Sequence, residues 1–211
     1  MIRKITGFSL LASALLGLLP LACQPGGVGD PCTPEDEYNV NFPGYDPKEV
    51  NVESKSFQCE TRVCLVNHFQ GRVSCKYGQD GPPTGGAAAP ASFGNCVVPG
   101  SDKANPANYI QQAVDPQLAS RTADNAVYCS CRCNGEDKNA RYCKCPSGYA
   151  CQDKLFPDVG IGQAELSGSY CVRDNTAFDP SQLGTNCTPT GYPKVPLQAG
   201  GVLACGTPDD G

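Results

Sequence analysis

The chain has no tryptophan, one histidine and one methionine, Met1. Aromatic residues make up only 8% of the 211 residues, so a core built from large rings is excluded and another source of stability is required. A single histidine, His68, rules out two-histidine zinc sites and leaves any histidine-dependent triad one possible base. There is no H-E-x-x-H, no G-x-S-x-G and no P-loop, and Gly160-Ile161-Gly162 lacks the third glycine of a dinucleotide fingerprint. No C-x-x-C is present, which removes the usual thiol-exchange pair. The net charge is −5 with no basic run, a balance that repels phosphate backbones and argues against nucleic acid as a partner. Glu35-Asp36-Glu37 lacks the alternating oxygen ligands and glycine of a calcium loop. It reads as a solvated turn, with Thr33, Pro34 and Asp36 suited to the cap, first and third positions. His68, within Val66-Asn67-His68-Phe69, is expected to be a packed or solvated side chain. No catalytic residue, cofactor or metal ligand is assigned on these grounds.

What the chain has in abundance is cysteine (15), glycine (24) and proline (19). Glycine and proline favour turns and irregular loops over long helices. Abundant cysteine beside a thin apolar supply is the signature of a secreted scaffold held by cross-links, because cytoplasmic glutathione would keep such thiols reduced. The N-terminus agrees. Arg3 and Lys4 precede an almost wholly apolar stretch from Ile5 to Ala22, the layout of a secretory signal. That stretch is shorter than the ~20 residues a spanning helix prefers, and Pro20 interrupts its end. Removal of residues 1–22 leaves 189 residues carrying a charge of −7, since Arg3 and Lys4 depart with the signal.

Leu19-Pro20-Leu21-Ala22-Cys23 resembles the end of a bacterial lipoprotein signal, in which a cysteine following a small residue receives the lipid. Ala22 and Cys23 match the motif, while Pro20 stands where the family has leucine. The resemblance implies that Cys23 becomes an acylated N-terminus, and Gln24 after it is compatible with outer-membrane sorting. The expected partner is therefore the membrane, reached through the N-terminal lipid, in a bacterial cell envelope, with a protein or envelope-polymer partner left unidentified. Cysteine arithmetic agrees, because setting Cys23 aside leaves an even set. The fourteen disulfide candidates are Cys32, Cys59, Cys64, Cys75, Cys96, Cys129, Cys131, Cys133, Cys143, Cys145, Cys151, Cys171, Cys187 and Cys205. Seven bridges among them allow on the order of 10⁵ connectivities, so pattern alone does not choose.

Composition divides the chain into a signal peptide (1–22), a flexible Gly/Pro tether (23–31), a cysteine-rich hairpin region (32–76), a Gly/Pro/Ala-rich linker or long loop (77–95) and a second cysteine-rich region (96–211). Val50 and Val52 alternate with polar neighbours, and Thr61 to Val66 is rich in β-branched residues; both read as short strands. Gly71 is expected to turn a hairpin from the second strand into Val73-Ser74-Cys75. Asn105-Pro106 is expected to open the one helix, with Tyr109, Ile110, Ala113 and Val114 on one face and Pro116 ending it.

Cys129, Cys131 and Cys133 fall at every second position, which on a strand aims three sulfurs to one face about 6.6–6.8 Å apart. Cys143 and Cys145 alternate likewise, and folding over 134–140 sets Cys131 opposite Cys143 and Cys129 opposite Cys145. Cys145-Pro146-Ser147-Gly148-Tyr149 resembles the end of an epidermal-growth-factor-like module. Cys151 follows too closely, however, and the upstream spacings do not fit, so the likeness stays local. A faint echo links Cys59, Cys64, Gly71 and Cys75 with Cys145, Cys151, Gly168 and Cys171. The alternative to oxidation is a thiolate metal site drawn from the five cysteines between Cys129 and Cys145, although the paired C-x2-C knuckles of structural zinc are absent. The expected fold is small, disulfide-rich, β-rich and irregular, with short hairpins, long loops and little helix. The expected role is structural or interactive, with a thiolate metal-binding protein second and an unrecognised secreted hydrolase or inhibitor a distant third.

Overall fold

The computed structural model describes residues 26–82, 95–153, 155, 167–187 and 205. Among these residues, six short strands form two three-stranded antiparallel sheets. The first holds β1 (Val50–Glu53), β2 (Val63–Asn67) and β3 (Val127–Ser130) in that order; the second holds β4 (Arg132–Asn134), β6 (Ser169–Arg173) and β5 (Tyr149–Gln152), with β6 central. Helix is confined to one α-turn (Ala123–Ala126) and three 3₁₀ turns among the described residues. The fold is thus β-rich, disulfide-rich and poor in helix.

Period-2 patterning explains how β2 holds the molecule together. Cys64 and Val66 face one way, joining Val127, Cys129, Tyr45 and Phe69 in the largest apolar cluster. Leu65 and Tyr128 face the other way and pack with Val172, Val50, Val52 and Tyr149, which brings the second sheet against the first. A third cluster joins Cys75, Cys96, Ile110 and Val114. Among the described residues, ten of the twenty-two buried apolar ones are half-cystines, so sulfur occupies the space that rings would fill in an ordinary core.

Several expectations are corrected. Val127 to Asn134 is not one strand, because the chain leaves the first sheet at Cys131 and enters the second. Residues 141–146 form no strand, although Cys143 N–H still donates to Arg132 O at 3.0 Å. Gly71 makes no hairpin from β2. It bonds Tyr45 in both directions (2.8 and 3.1 Å) and lies so close to Asp115 O that an added Cβ would sit 2.1 Å from it. With φ at +80° the position calls for glycine twice over.

Asn105 does cap a turn, its side chain accepting from Ala107 N–H at 3.0 Å with Pro106 in the first turn, but the helix stops at Asn108. Ile110 N–H goes to Cys96 O and Val114 pairs with Gln79, so backbone bonds to other segments replace a barely two-turn helix that could not nucleate alone.

The segment expected as a free tether is bonded to the fold from Gly26 to Pro31. Gly26 pairs with the Gln58–Glu60 segment, Gly29 N–H donates to Cys129 O, and Asp30 O accepts from Cys129 N–H. This strip covers the outer edge of β3, which would otherwise expose unpaired backbone. The expected linker at 77–95 is anchored at its start, since Gln79 exchanges both backbone bonds with Val114, and residues 83–94 lie outside the described residues. The two cysteine-rich regions are joined: β2 pairs with β3, and Cys59–Cys129 and Cys75–Cys96 cross between them.

Candidate functional site

All fourteen candidate cysteines are paired: Cys32–Cys64, Cys59–Cys129, Cys75–Cys96, Cys131–Cys143, Cys133–Cys151, Cys145–Cys171 and Cys187–Cys205. The expected Cys131–Cys143 bridge is present. The expected Cys129–Cys145 bridge is not, because the sheet change at Cys131 leaves Cys129 inside the first sheet beside Cys59. Cys64 and Cys129 stand opposite each other across β2 and β3, as do Cys151 and Cys171 across β5 and β6, yet each bonds elsewhere. Directly opposed Cβ atoms lie ~4.5–5.5 Å apart, wider than the ~3.8 Å a disulfide favours. The echo between the two Gly-and-Cys segments carries no shared connectivity, since Cys59 and Cys64 bond outside their segment while Cys145 bonds Cys171 within its own.

The sulfurs concentrate where the second sheet begins. Cys171 Sγ lies 3.5 Å from Cys131 Sγ and 3.7 Å from Cys143 Sγ, a van der Waals contact between two neighbouring disulfides. Cys131, Cys143 and Cys171 form one group of three, and Cys133, Cys145 and Cys151 another, each with sulfurs within 4.8 Å of one another. A sulfur in a disulfide carries no thiolate charge, so these groups can bind a soft cation only after a dithiol or similar reductant opens them.

Two charged residues missed in the sequence sit at the heart of the first region. Glu37, expected on a solvated turn, is 0% exposed and pairs with equally buried Arg72 at 3.3 Å. Its carboxylate accepts Val73 N–H at 2.8 Å and the Ser74 hydroxyl at 3.3 Å. Arg72 donates to Phe42 O at 2.6 Å, to Asn39 O at 3.1 Å and to Glu37 O, tying the 35–42 loop to the 72–74 turn. Burial raises the Glu37 carboxyl above its ordinary value, although the Val73 N–H and the Arg72 charge pull the other way. Arg121 is buried too, donating to Asn67 O at 2.8 Å and to Thr176 O, and so clamps the end of β2 to the loop after β6. Nothing in the local sequence marks these residues as internal, because their partners are distant in the chain.

His68 is half-buried, stacks on Phe178 with centroids 4.7 Å apart, and places Nδ1 3.0 Å from Pro47 O. This is a packed ring held by a backbone carbonyl rather than a base aimed at a nucleophile. Burial, with the Arg121 charge nearby, lowers its pKa below the ordinary imidazole value of 6.5. A base depressed in the folded state contributes stability above its unfolded pKa and loses it as pH falls through the folded value. The imidazole is therefore expected to titrate below 6.5 in a proton NMR titration, with unfolding free energy declining as pH drops below that point. A resonance titrating above 6.5 would contradict the packing.

An open groove of about 530 Å³ runs between the Pro43–Lys48 turn and Gln70, Ala113, Asp115 and Leu183. Its lining carries the charged groups Asp46, Lys48 and Asp115 and does not include His68. No helix among the described residues is long and apolar enough to cross a membrane. Compared with protein-family models, curated proteins and solved structures, the chain matches none. The functional reading therefore rests on its own chemistry.

Proposed function

We propose that this chain is an exported, lipid-anchored protein of a bacterial envelope, at the outer membrane or cell surface, where a disulfide frame displays loops in a structural or interaction role. The observation that carries this reading is the sulfur count. Fourteen cysteines close seven bridges, and the one cysteine remaining of fifteen is Cys23, which follows the apolar leader and lies outside the described residues. An oxidising compartment accounts for the bridges, and lipid at Cys23 accounts for the odd thiol. Two or three acyl chains hold durably where one is marginal, because each buried methylene contributes ~0.8 kcal/mol. A cross-linked frame keeps long connections in fixed positions, and loops on a rigid scaffold are where recognition residues concentrate.

Intact mass of membrane-extracted protein, before and after reduction, tests every part together. The expected mass is the chain from Cys23 onward with acyl groups, rising on reduction by the hydrogens of seven bridges. Unacylated material beginning at Met1 with most thiols reactive would overturn the reading, and free thiols accompanied by bound zinc would favour a thiolate metal centre instead.

A further inference from the structure

Tyr38, Phe57 and Leu183 are the exposed large apolar side chains among the described residues, and Phe57 is the barest at 79%. It stands on the loop between β1 and β2, beside the buried Ser56 and Cys59. That loop is pinned: Ser56 N–H donates to Arg62 O, Arg62 N–H donates to Cys59 O, and Cys59 is bridged to Cys129 in β3. The Arg62 guanidinium lies over the Phe57 ring, 4.0 Å from its centroid. A large ring and a cation are thus held together in solvent on a fixed turn.

The chain also enters the fold at this loop. Gly26 N–H donates to Gln58 O at 2.7 Å and Gly26 O accepts from Glu60 N–H at 2.9 Å, so Gly26 is fixed beside the residue that follows Phe57. Only three peptide steps separate Gly26 from Cys23, a reach of at most about 10–11 Å when fully extended. A bilayer holding a lipid on Cys23 would lie next to Phe57 and not at the far side of the molecule.

We infer that the Phe57–Arg62 loop is a membrane-contact wedge, the ring entering the headgroup and acyl boundary of the bilayer while Arg62 reaches lipid phosphates. The inference rests on the lipid-anchor reading. Phenylalanine is among the side chains that interfacial segments bury at the headgroup and acyl boundary, and an arginine stem can lie along apolar surface with its head at the phosphates. The loop carries Lys55 and Arg62 against Glu60, nearly balanced, so the ring and not attraction to anionic lipid drives the contact. One ring would not recruit an untethered protein. With the chain already anchored, the contact becomes intramolecular, and a small gain suffices to fix the domain's orientation.

Because the chain has no tryptophan, Phe57→Trp introduces a single indole, excited apart from the tyrosines at the red edge, at an exposed position. The full acylated protein, reconstituted into phosphatidylcholine vesicles with or without brominated acyl chains, is the sample, and Leu183→Trp on the groove is the comparison. Bromine is expected to quench the Phe57→Trp variant by about twofold and leave the Leu183→Trp variant nearly unchanged, as interfacial burial of one ring predicts. The quenching should persist at about 0.5 M salt, where charge attraction is screened within a few ångströms. An unquenched Phe57→Trp variant in a sample whose mass shows acyl chains overturns the wedge alone, as does equal quenching of the two variants. A sample without acyl chains overturns the anchor and the wedge with it.

Discussion

Glu37→Ala is expected to lower the unfolding free energy by about 3–5 kcal/mol, the range for removing one partner of a buried ion pair. The mechanism is not the loss of attraction itself. Arg72 would be left as an uncompensated charge at 0% exposure, and Val73 N–H and the Ser74 hydroxyl would lose their acceptor. Glu37→Gln should cost less, since an amide oxygen can still accept from Val73. Replacing both partners, Glu37→Leu with Arg72→Met, should recover part of the loss, because no charge then remains inside. The recovery is limited by the Arg72 bonds to Asn39 O and Phe42 O, which methionine cannot make. The pH dependence has a definite sign. With its folded pKa raised by burial, Glu37 contributes stability that is full below its ordinary value of 4.5 and is lost as pH rises through the folded value. Acid should therefore not unfold the protein through this group, in contrast to His68. Urea titration of the oxidised variants checks these points, and a loss under about 1 kcal/mol for Glu37→Ala would show the pair to be solvated.

The second large effect belongs to Cys59–Cys129. At 70 residues it has the longest sequence separation of the seven bridges, and chain-entropy reasoning assigns it about 4 kcal/mol. Cys75–Cys96, which lies wholly within that loop, shortens its free path, but the dependence on length is logarithmic and the correction is small. Both sulfurs are also buried, Cys129 completely, so Cys59→Ala with Cys129→Ala adds a packing loss in the main cluster. The same double replacement at Cys133 and Cys151 removes a bridge of separation 18 whose Cys151 end is exposed, and should cost about 3 kcal/mol. Non-reducing urea denaturation, with mass confirming six intact bridges, compares the two. An equal or larger loss at Cys133–Cys151 would place the keystone in the second sheet instead of between the β1–β2 loop and β3.

What could be read in advance follows the range of the interactions. Alternating valines announced β1 and a β-branched run announced β2, and Asn105-Pro106 marked where a helical turn begins although not where it ends, because each depends on neighbours within a few residues. Cys131–Cys143 was also legible, the two being only 12 residues apart across one polar segment. The helix expected beyond Asn108 failed because Ile110 and Val114 found backbone partners in remote strips of chain. The Gly71 hairpin failed because the glycine was serving a close approach to Asp115.

Local patterning and cysteine count alone determined that the chain is β-rich and thin in core, with enough sulfur for seven bridges. Which sulfur meets which, and that one member of an exposed-looking acidic cluster lies at the centre of the first region, were decided only in three dimensions. A disulfide or buried ion pair requires two side chains to converge within a few ångströms, and for Cys59 with Cys129 or Glu37 with Arg72 that convergence depends on how sheets and loops pack. Spacing along the chain carries no record of it.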